Sequence, residues 1–478
     1  MKRITEGIQV FVDLGTKVVS GTLLLNGANS KLKVVSQEPI VALPEHIKCV
    51  DEDARRISLF GCINAGCGSS GSREERVFSC AAFPHYVARG DFHCTIDDKV
   101  FDQVYFGITD AAALFWDNSP WKHIDTRLLS EPLSVGDNTI SVIYGFVGSG
   151  EIFKSKTALG TIAAHHLPSF TSPSVKGFSA TNHIKVGLEA SNPISIRESI
   201  TLMYRIKQFT EVCSGRHQGV SAISLFKKGN CDERPARLDL TISHAEEPTR
   251  SADHLTGFDM LASPCLDRQA YEKLVTNWFA QDDRRRWIAF SRFSSSLKQA
   301  NYYDQNRLVS AASLFEWYDA TQKVDVPEEI RSLIDRTIAD LDSIPVSNEH
   351  QRMRAILGTI GSESLQSKIL RQTREVLDIL NEADSFDRGL CEEVIAWAVK
   401  CRNKIVHGTG GRTVERVLDQ NQIFLTETLE VLFGFMSLHT AGWSIQRRDD
   451  RHLRGFSRYS TFLRDFSRNA SELIANTI

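Results

Sequence analysis

The pattern of apolar residues changes once along the chain, near Pro264. Before that point short strand-like runs alternate with turn residues, and beyond it apolar residues recur with a period near 3.6, as in amphipathic helices. Strands grouped first and helices grouped second favour separate domains over one mixed sheet. At 478 residues the chain also exceeds what one compact core usually holds. The sequence therefore predicts an α+β, multidomain protein in which a β-rich N-terminal domain is followed by an all-α, helical domain.

The β-rich part extends from about Val10 to Thr241. Apolar residues at helical spacing predict one helix inside it, at 196–212. The Gly/Ser-rich run at 61–71 predicts a mobile loop. Strand-like runs bounded by turn residues include 17–25, 139–147 and 236–242.

Helical periodicity dominates the rest of the chain. We divide the protein into a β-rich domain at 1–255, a helical connector at 256–300 and a helical bundle at 301–478. The predicted helices are 266–280, 305–321, 327–344, 364–381, 387–407, 418–442 and an Arg-rich helix at 454–475.

Composition is that of an ordinary globular protein, with 42% hydrophobic and 24% charged residues and a net charge of −3. Nucleic-acid contact would therefore need a local basic patch. We expect no export signal and no membrane span, because the most apolar late segment carries Glu427, Glu430 and His439. Ten irregularly spaced cysteines predict buried thiols in a reducing compartment, so we expect a cytoplasmic protein.

The sharpest local feature is the run Arg402-Asn403-Lys404-Ile405-Val406-His407-Gly408 at the end of the predicted helix 387–407. Helical spacing puts Asn403 and His407 on one polar face, with Cβ atoms roughly 5 to 6 Å apart. Arg402 lies on an intermediate stripe, which predicts a partly buried guanidinium held by a carboxylate of another helix, for which Glu316 is the candidate. The polar stripe is Glu393, Lys400, Asn403 and His407, and the buried stripe is Val394, Ala398, Cys401 and Ile405.

These residue types suit RNA cleavage without a metal or cofactor. That reaction needs a base for the 2′-hydroxyl proton, an acid for the leaving 5′-oxygen and a cation for the phosphoryl charge. Histidine exchanges protons near neutral pH, and arginine stays charged and matches phosphate oxygens. One helix end holds only His407, so acid and base together favour a homodimer or higher oligomer with both copies in one cleft. Arg402, Asn403 and His407 are thus the catalytic candidates, with Lys400 and Lys404 as supporting residues.

The motif Arg402-Asn403-x-x-x-His407-Gly408 resembles the R-N-x-x-x-H motif of HEPN-domain ribonucleases. The run from Leu308 to Trp317 resembles the first helix of the ApeA-like HEPN group, and the run from Leu274 to Phe279 resembles the segment before it. The runs from Val104 to Trp116 and from Val212 to Gly215 are similar to the ApeA-type N-terminal domain. The resemblance implies a HEPN-like ribonuclease bundle in an anti-phage protein that acts by abortive infection. It also implies an RNA substrate, with tRNA as one candidate, and a phage-derived trigger read by the N-terminal domain.

Other interpretations of the motif remain. His407, Lys404 and Gly408 are ordinary residues for the C-terminus of a helix, which is a purely structural role. A non-catalytic module that binds nucleic acid or a partner, with a ligand-reading β domain, is the alternative function, and a toxin held off by a second protein is another. Looser Arg-to-His spacings at 237–244 and 447–452 lack the Asn and are decoys.

Several other features have a weaker claim to function. A zinc site built from Cys62, Cys67, Cys80, Cys94, His85 and His93 is disfavoured by its spacing, and we expect no metal. The pair His165-His166, without a nearby Asp or Cys, is interpreted as structural. No phosphate-binding Gly-rich loop and no Gly-x-Ser-x-Gly turn is present in the sequence. The Arg-rich runs that could steer RNA are Arg284-Arg285-Arg286 and Arg447-Arg448 with Arg451, Arg454 and Arg458.

Overall fold

The computed structural model describes residues 7–71, 76–115, 117–125, 134–135, 138–139, 142–147, 150–171, 179–229, 234–243, 255–281, 283–299, 301–323, 326–382, 386–444 and 457–477. The chain forms two compact units, Met1–Gln281 and Asp282–Ile478. The division lies inside the segment 256–300, for which the sequence predicts a connector. A β-rich unit followed by a helical unit confirms the predicted fold class.

Strands dominate the first unit. In chain order they are β1 Ile8–Asp13, β2 Val18–Leu24, β3 Lys31–Ser36, β4 Ile47–Asp51, β5 Arg56–Phe60, β6 Ile63–Ser70, β7 Val77–Phe83, β8 Tyr86–Gly90, β9 Phe101–Ile108, β10 Trp121–Asp125, β11 Ser134–Val135, β12 Asn138–Thr139, β13 Val142–Phe146, β14 Glu151–Thr157, β15 Gly160–Phe170, β16 Ala180–Ile194, β17 Val220–Lys227 and β18 Ala236–Ile242. The helices of this unit are α1 Ala111–Phe115, α2 Ile196–Ser214 and α3 Arg268–Ala280.

Fourteen of these strands form one sheet, in the order β14-β15-β16-β9-β17-β18-β8-β5-β4-β1-β2-β3-β7-β6. Antiparallel pairing is typical, as in β1 with β2, where Val10 lies opposite Gly21. Alternation along β1 buries Val10 and Val12 and exposes Phe11, which is the period-2 pattern of a sheet with one covered face. Two short ribbons, β10 with β13 and β11 with β12, complete the strands.

The predicted loop at 61–71 is wrong, because Ile63–Ser70 forms the edge strand β6 and pairs with β7. Every residue of β6 is exposed, so the strand has no buried face and shows none of the alternation by which strands are recognised. Cys67 lies opposite Cys80 in this pair and is joined to it by a disulfide. The expectation of unpaired thiols is therefore wrong for these two cysteines, and cysteine usage alone no longer argues for a reducing compartment.

Helix α2 confirms the helix predicted inside the β-rich part. Ser195 caps its first turn, where the side-chain oxygen accepts from Glu198 N and Glu198 bonds back to Ser195 N. Helix α3 packs on the edge strand β14, where Ser155 Oγ donates to the Glu272 carbonyl at 3.0 Å. Of the two helices inside the predicted connector, α3 therefore belongs to the β-rich unit.

Helices form the second unit. They are α4 Arg284–Lys298, α5 Gln305–Tyr318, α6 Glu328–Asp342, α7 Asn348–Thr359, α8 Leu365–Asn381, α9 Arg388–His407, α10 Arg412–Thr440 and α11 Arg458–Ala475. The predicted helices are present with shifted ends. Helix α10 begins at Arg412, before the predicted residue 418. The prediction missed its first turns because they are mostly polar and exposed. Helix α7 was not predicted, since its first turns are polar and carry little apolar periodicity.

The core of the helical unit contains a buried ion cluster. Arg307 of α5 donates to both carboxylate oxygens of Glu430 in α10, at 2.9 and 3.0 Å, and Arg458 of α11 also pairs with Glu430. The Glu430 side chain is fully buried. Burial alone would raise its pKa, but the charge of Arg458 and the hydrogen bonds from Arg307 outweigh burial and lower the pKa below its usual value. The ion cluster therefore links α5 and α11 to α10 through the Glu430 carboxylate.

Candidate functional site

Helix α9 positions the motif. Asp387 caps its first turn by accepting from Leu390 N. Val394, Ala398 and Cys401 are fully buried and fix the rotation of the helix in the bundle. The helix ends at His407, after which Gly408 adopts the left-handed conformation and donates its N–H to the Lys404 carbonyl at 2.9 Å. The exposed end of α9 therefore carries the predicted site residues.

Arg402 is the centre of the cluster. Its Nη2 lies 3.2 Å from Glu316 Oε1, so the predicted ion pair between α9 and α5 is present. Its Nη1 donates to Asn403 Oδ1 at 3.1 Å and lies 3.3 Å from His407 Nε2. The Arg402 side chain is 15% exposed, whereas that of Glu316 is 40% exposed and His407 is at the surface. The structure thus brings all four residues together.

The contacts also define which atoms are donors. A guanidinium has only donors, so His407 Nε2 can form a hydrogen bond with Arg402 only as an acceptor. The carbonyl oxygen of Asn403 is likewise an acceptor from Arg402, which turns its amide nitrogen toward other partners. Arg402 Nε is buried and makes no hydrogen bond within the described part of the chain. The Arg402 guanidinium therefore holds Asn403 and Glu316 next to the exposed imidazole of His407.

The two supporting lysines lie outside this cluster. Lys404 Nζ pairs with Glu415 Oε1 of α10 at 2.7 Å and also reaches the Gly410 carbonyl. Lys400 stacks its ammonium 4.3 Å from the centre of the Trp397 ring. Neither contacts Arg402, Asn403 or His407 in the region that the structure describes. Lys404 instead fixes the turn between α9 and α10.

Sequence reasoning missed one contact at the site. Thr409 Oγ1 donates to the Asn403 carbonyl at 3.4 Å, which closes the turn that follows the motif. Its position two residues beyond His407 was the available signal, because the side chains of a terminating turn often bond the last helical carbonyls. Thr409 therefore helps to hold the end of the helix in place.

The structure corrects the interpretation of Arg284-Arg285-Arg286. Arg286 is buried, donates to the Tyr318 hydroxyl at 2.5 Å and lies with its guanidinium carbon 4.6 Å from the centre of that ring. Burial lowers the pKa of Arg286. This residue supports the packing of α4 on α5, and only Arg284 and Arg285 are exposed. In the other Arg-rich run, Arg447, Arg448, Arg451 and Arg454 lie outside the described residues, and Arg458 is the partner of Glu430.

One premise behind the structural interpretation of His165-His166, the absence of a nearby Asp, is wrong. Asp117 does lie nearby, with Oδ2 3.2 Å from His166 Nε2, although 49 residues separate them. Asn182 contacts the other ring nitrogen at 2.7 Å. His166 is fully buried at its side chain, so the contact is part of the interior of the β-rich unit.

Each decoy spacing includes at least one residue outside the described part of the chain, so neither can be compared with the cluster. Arg237 pairs with Asp239 at 2.8 Å. His244, Arg447 and His452 lie outside the described residues. Within the described ranges no three His, Cys, Asp or Glu side chains converge as a metal site would require. In the same ranges, no helix has the combination of length and apolar character needed to cross a membrane.

Replacing Gly408 by alanine is expected to lower the free energy of unfolding by about 1 kcal/mol, because its φ of 70° is unfavourable for a residue with a Cβ. No atom lies within 4 Å of the added Cβ, so backbone strain is the cause. Gly358, which also has open space around it but lies in α7, is the matched control. Gly358→Ala should raise stability by about 0.5 kcal/mol. Equal effects of the two substitutions in urea unfolding would contradict the argument.

Two family models match the chain. Residues 309–446 match the model described as Apea-like HEPN, and residues 16–278 match the model described as ApeA N-terminal domain 1. The second match covers more than half of the chain, and the protein belongs to the ApeA-like HEPN family of anti-phage proteins. HEPN domains are generally nucleases that dimerise and bind RNA, which supports a nuclease-type role in anti-phage defence. No curated protein and no solved structure matches the chain.

Proposed function

We propose that this protein is a metal-independent endoribonuclease that acts in the cytoplasm as an abortive-infection toxin. The observation that carries the proposal is the convergence of Arg402, Asn403 and His407 at an exposed helix end, with Glu316 holding the guanidinium. A glycine and a cation are enough to stabilise the end of a helix, so a structural role does not explain why Arg402 and Asn403 converge on His407. An imidazole that transfers protons and a guanidinium that stabilises phosphoryl charge, placed in contact, are suited to cleave a phosphodiester.

In the proposed reaction, the 2′-oxygen attacks the adjacent phosphorus while its proton passes to an imidazole. The bond from phosphorus to the 5′-oxygen breaks, and that oxygen takes a proton. The products are a 2′,3′-cyclic phosphate and a free 5′-hydroxyl. Arg402 stabilises the charge on the phosphoryl oxygens, which in turn releases His407 Nε2 from its resting contact with the guanidinium.

Each chain supplies one His407 to this cluster. We infer that two copies meet about a two-fold axis, so that one imidazole acts as base and the other as acid in a shared cleft. His407 is exposed and Asn403 is partly exposed, which leaves this face open to a second copy. The β-rich unit would then be the regulatory part, where a phage-derived trigger acts.

The most direct test is incubation of the purified protein with total RNA in the presence of a chelator, followed by mapping of the RNA ends. The expected result is 2′,3′-cyclic phosphates at discrete cleavage sites, with tRNA among the RNAs that are cut. Cleavage that requires magnesium, or products with 5′-phosphates, would contradict the proposed chemistry. A purely binding module would leave the RNA intact.

Glu316→Gln is expected to lower the rate of cleavage roughly tenfold. Glutamine keeps an acceptor oxygen for Arg402 but removes the carboxylate charge, which weakens the hydrogen bond by about 1 kcal/mol or more, and about 1.4 kcal/mol in a barrier is tenfold in rate. The matched control is Asp319→Asn on the same end of α5, because Asp319 pairs with Arg371 instead of Arg402. Single-turnover cleavage assays should separate the two variants, and equal rates for both would argue against Glu316 as the positioning residue.

A further inference from the structure

A groove of about 420 Å³ lies between α4 and α5 in the helical unit. Small side chains create it, because Ser291 and Ser295 of α4 and Ser310 of α5 all line the space between the helices. The hydroxyls of Ser291 and Ser295 donate to the carbonyls of Trp287 and Ser291, both at 2.9 Å. These two hydroxyls donate within α4, so their protons are not directed into the groove.

The charged groups of the groove are cations. Arg284 and Arg292 line it, together with the amides of Gln299 and Asn306, and no Asp or Glu is among the described lining residues. Neither Arg284 nor Arg292 forms an ion pair with a described residue. Guanidinium and amide groups are thus the donors that the groove presents, and this chemistry suits a ligand with anionic oxygens.

An exposed aromatic ring connects the groove to the catalytic cluster. The Arg292 guanidinium carbon lies 5.3 Å from the centre of the Trp317 ring, which is 37% exposed. Trp317 follows Glu316 directly on α5, and Glu316 holds Arg402 at 3.2 Å. Asn306, Ser310 and Trp317 share one stripe of α5 at helical spacing. The cationic groove, the aromatic ring and the cluster therefore follow one another along α5.

We propose that the α4–α5 groove binds single-stranded RNA and leads it to the Arg402 and His407 cluster. Arg284 and Arg292 contact phosphates, and Trp317 stacks on a base next to the phosphodiester that is cut. Stacking on an aromatic ring with cations along the backbone is the usual chemistry of single-strand binding, and it tolerates any base. The inference rests on the proposed function and names the part of the chain that holds its substrate.

The test uses the full chain carrying His407→Ala, so that bound RNA stays intact. A fluorescent single-stranded RNA of about 12 nucleotides, a length within the range of single-strand sites, is titrated by anisotropy at several salt concentrations with chelator. Trp317→Ala should weaken binding roughly tenfold with little change in the salt dependence. The double variant Arg284→Gln and Arg292→Gln should weaken binding and flatten the slope of log affinity against log salt by about 1.4, or about 0.7 for each lost phosphate contact.

Arg336→Gln is the matched control, because Arg336 is an exposed arginine of α6 whose Nε donates to the Ser332 carbonyl of the same helix at 3.2 Å. It should leave both the affinity and the salt slope unchanged. Since Arg284, Arg292 and Trp317 are exposed, thermal melting should show the variants folded. RNA affinity and slope that stay constant in the groove variants, or tight binding of an acidic peptide there in place of RNA, would overturn the inference.

The two proposals fail in different ways. If the unsubstituted chain cuts RNA and the groove variants retain its affinity and KM, the groove assignment is wrong while the ribonuclease stands. If the groove variants lose RNA binding but the unsubstituted chain cuts nothing, the groove is supported and the proposed reaction is wrong.

Discussion

His407→Ala is expected to lower the rate of RNA cleavage by about 10²- to 10⁴-fold, the usual contribution of a general acid or base. The effect should be at the high end, because a two-fold site loses both imidazoles with one substitution. RNA affinity should change little, since the imidazole supplies proton transfer and the guanidinium remains. Single-turnover rates and equilibrium binding, measured on the same preparation, separate the two effects.

His439→Gln is the matched control for this experiment. His439 also lies near the end of a helix, α10, but its Nε2 contacts Glu375 Oε2 at 2.8 Å and it has no place in the cluster. Cleavage should be unaffected by this change. If His407→Ala retained the full rate, or if both variants lost it equally, the catalytic role of His407 would be wrong.

Glu430→Ala is expected to destabilise the helical unit by about 3 to 5 kcal/mol. The substitution leaves the buried Arg307 and the partly buried Arg458 without their shared carboxylate, and an unpaired buried charge is costly. For a unit of this size the loss corresponds to a fall of roughly 10 °C in Tm. Thermal unfolding followed by circular dichroism measures it.

The control is Glu375→Gln, which removes a carboxylate whose side chain is 80% exposed in its pair with His439. Exposed pairs contribute little, so stability should change by less than about 1 kcal/mol. Comparable losses from the two substitutions would contradict the structural role of the buried cluster. A small loss from Glu430→Ala alone would do the same.

The stability contributed by Glu430 also has a defined pH dependence. Its pKa is lower in the folded chain than in the unfolded one, so the folded state favours the ionised carboxylate. That contribution is fully present above the unfolded pKa of a glutamate, near 4.3, and is lost as the pH falls through the lower folded value. Acid unfolding of the unsubstituted chain should therefore be steeper below that pH than that of Glu430→Gln.

Local features of the chain can be predicted from the order of its residues alone. Apolar periods within a few residues revealed where strands give way to helices, and they placed Asn403 and His407 on one face of α9. Gly408 marked the end of that helix, as the structure confirms. The need for a carboxylate beside a half-buried Arg402 also followed from its position, because a buried charge requires a partner. The roles of these residues in catalysis stay predictions.

Pairings between distant parts of the chain become visible only when the folded elements pack against one another. The edge strand β6 has no buried face, so its residues carry no pattern until β7 lies beside it. Arg286 reads as a surface charge in its run of arginines, and packing of α4 on α5 buries it against Tyr318. Glu430 meets Arg307 from 123 residues away. Periodicity reports which face of an element is buried, whereas the partner on that face depends on how whole elements pack.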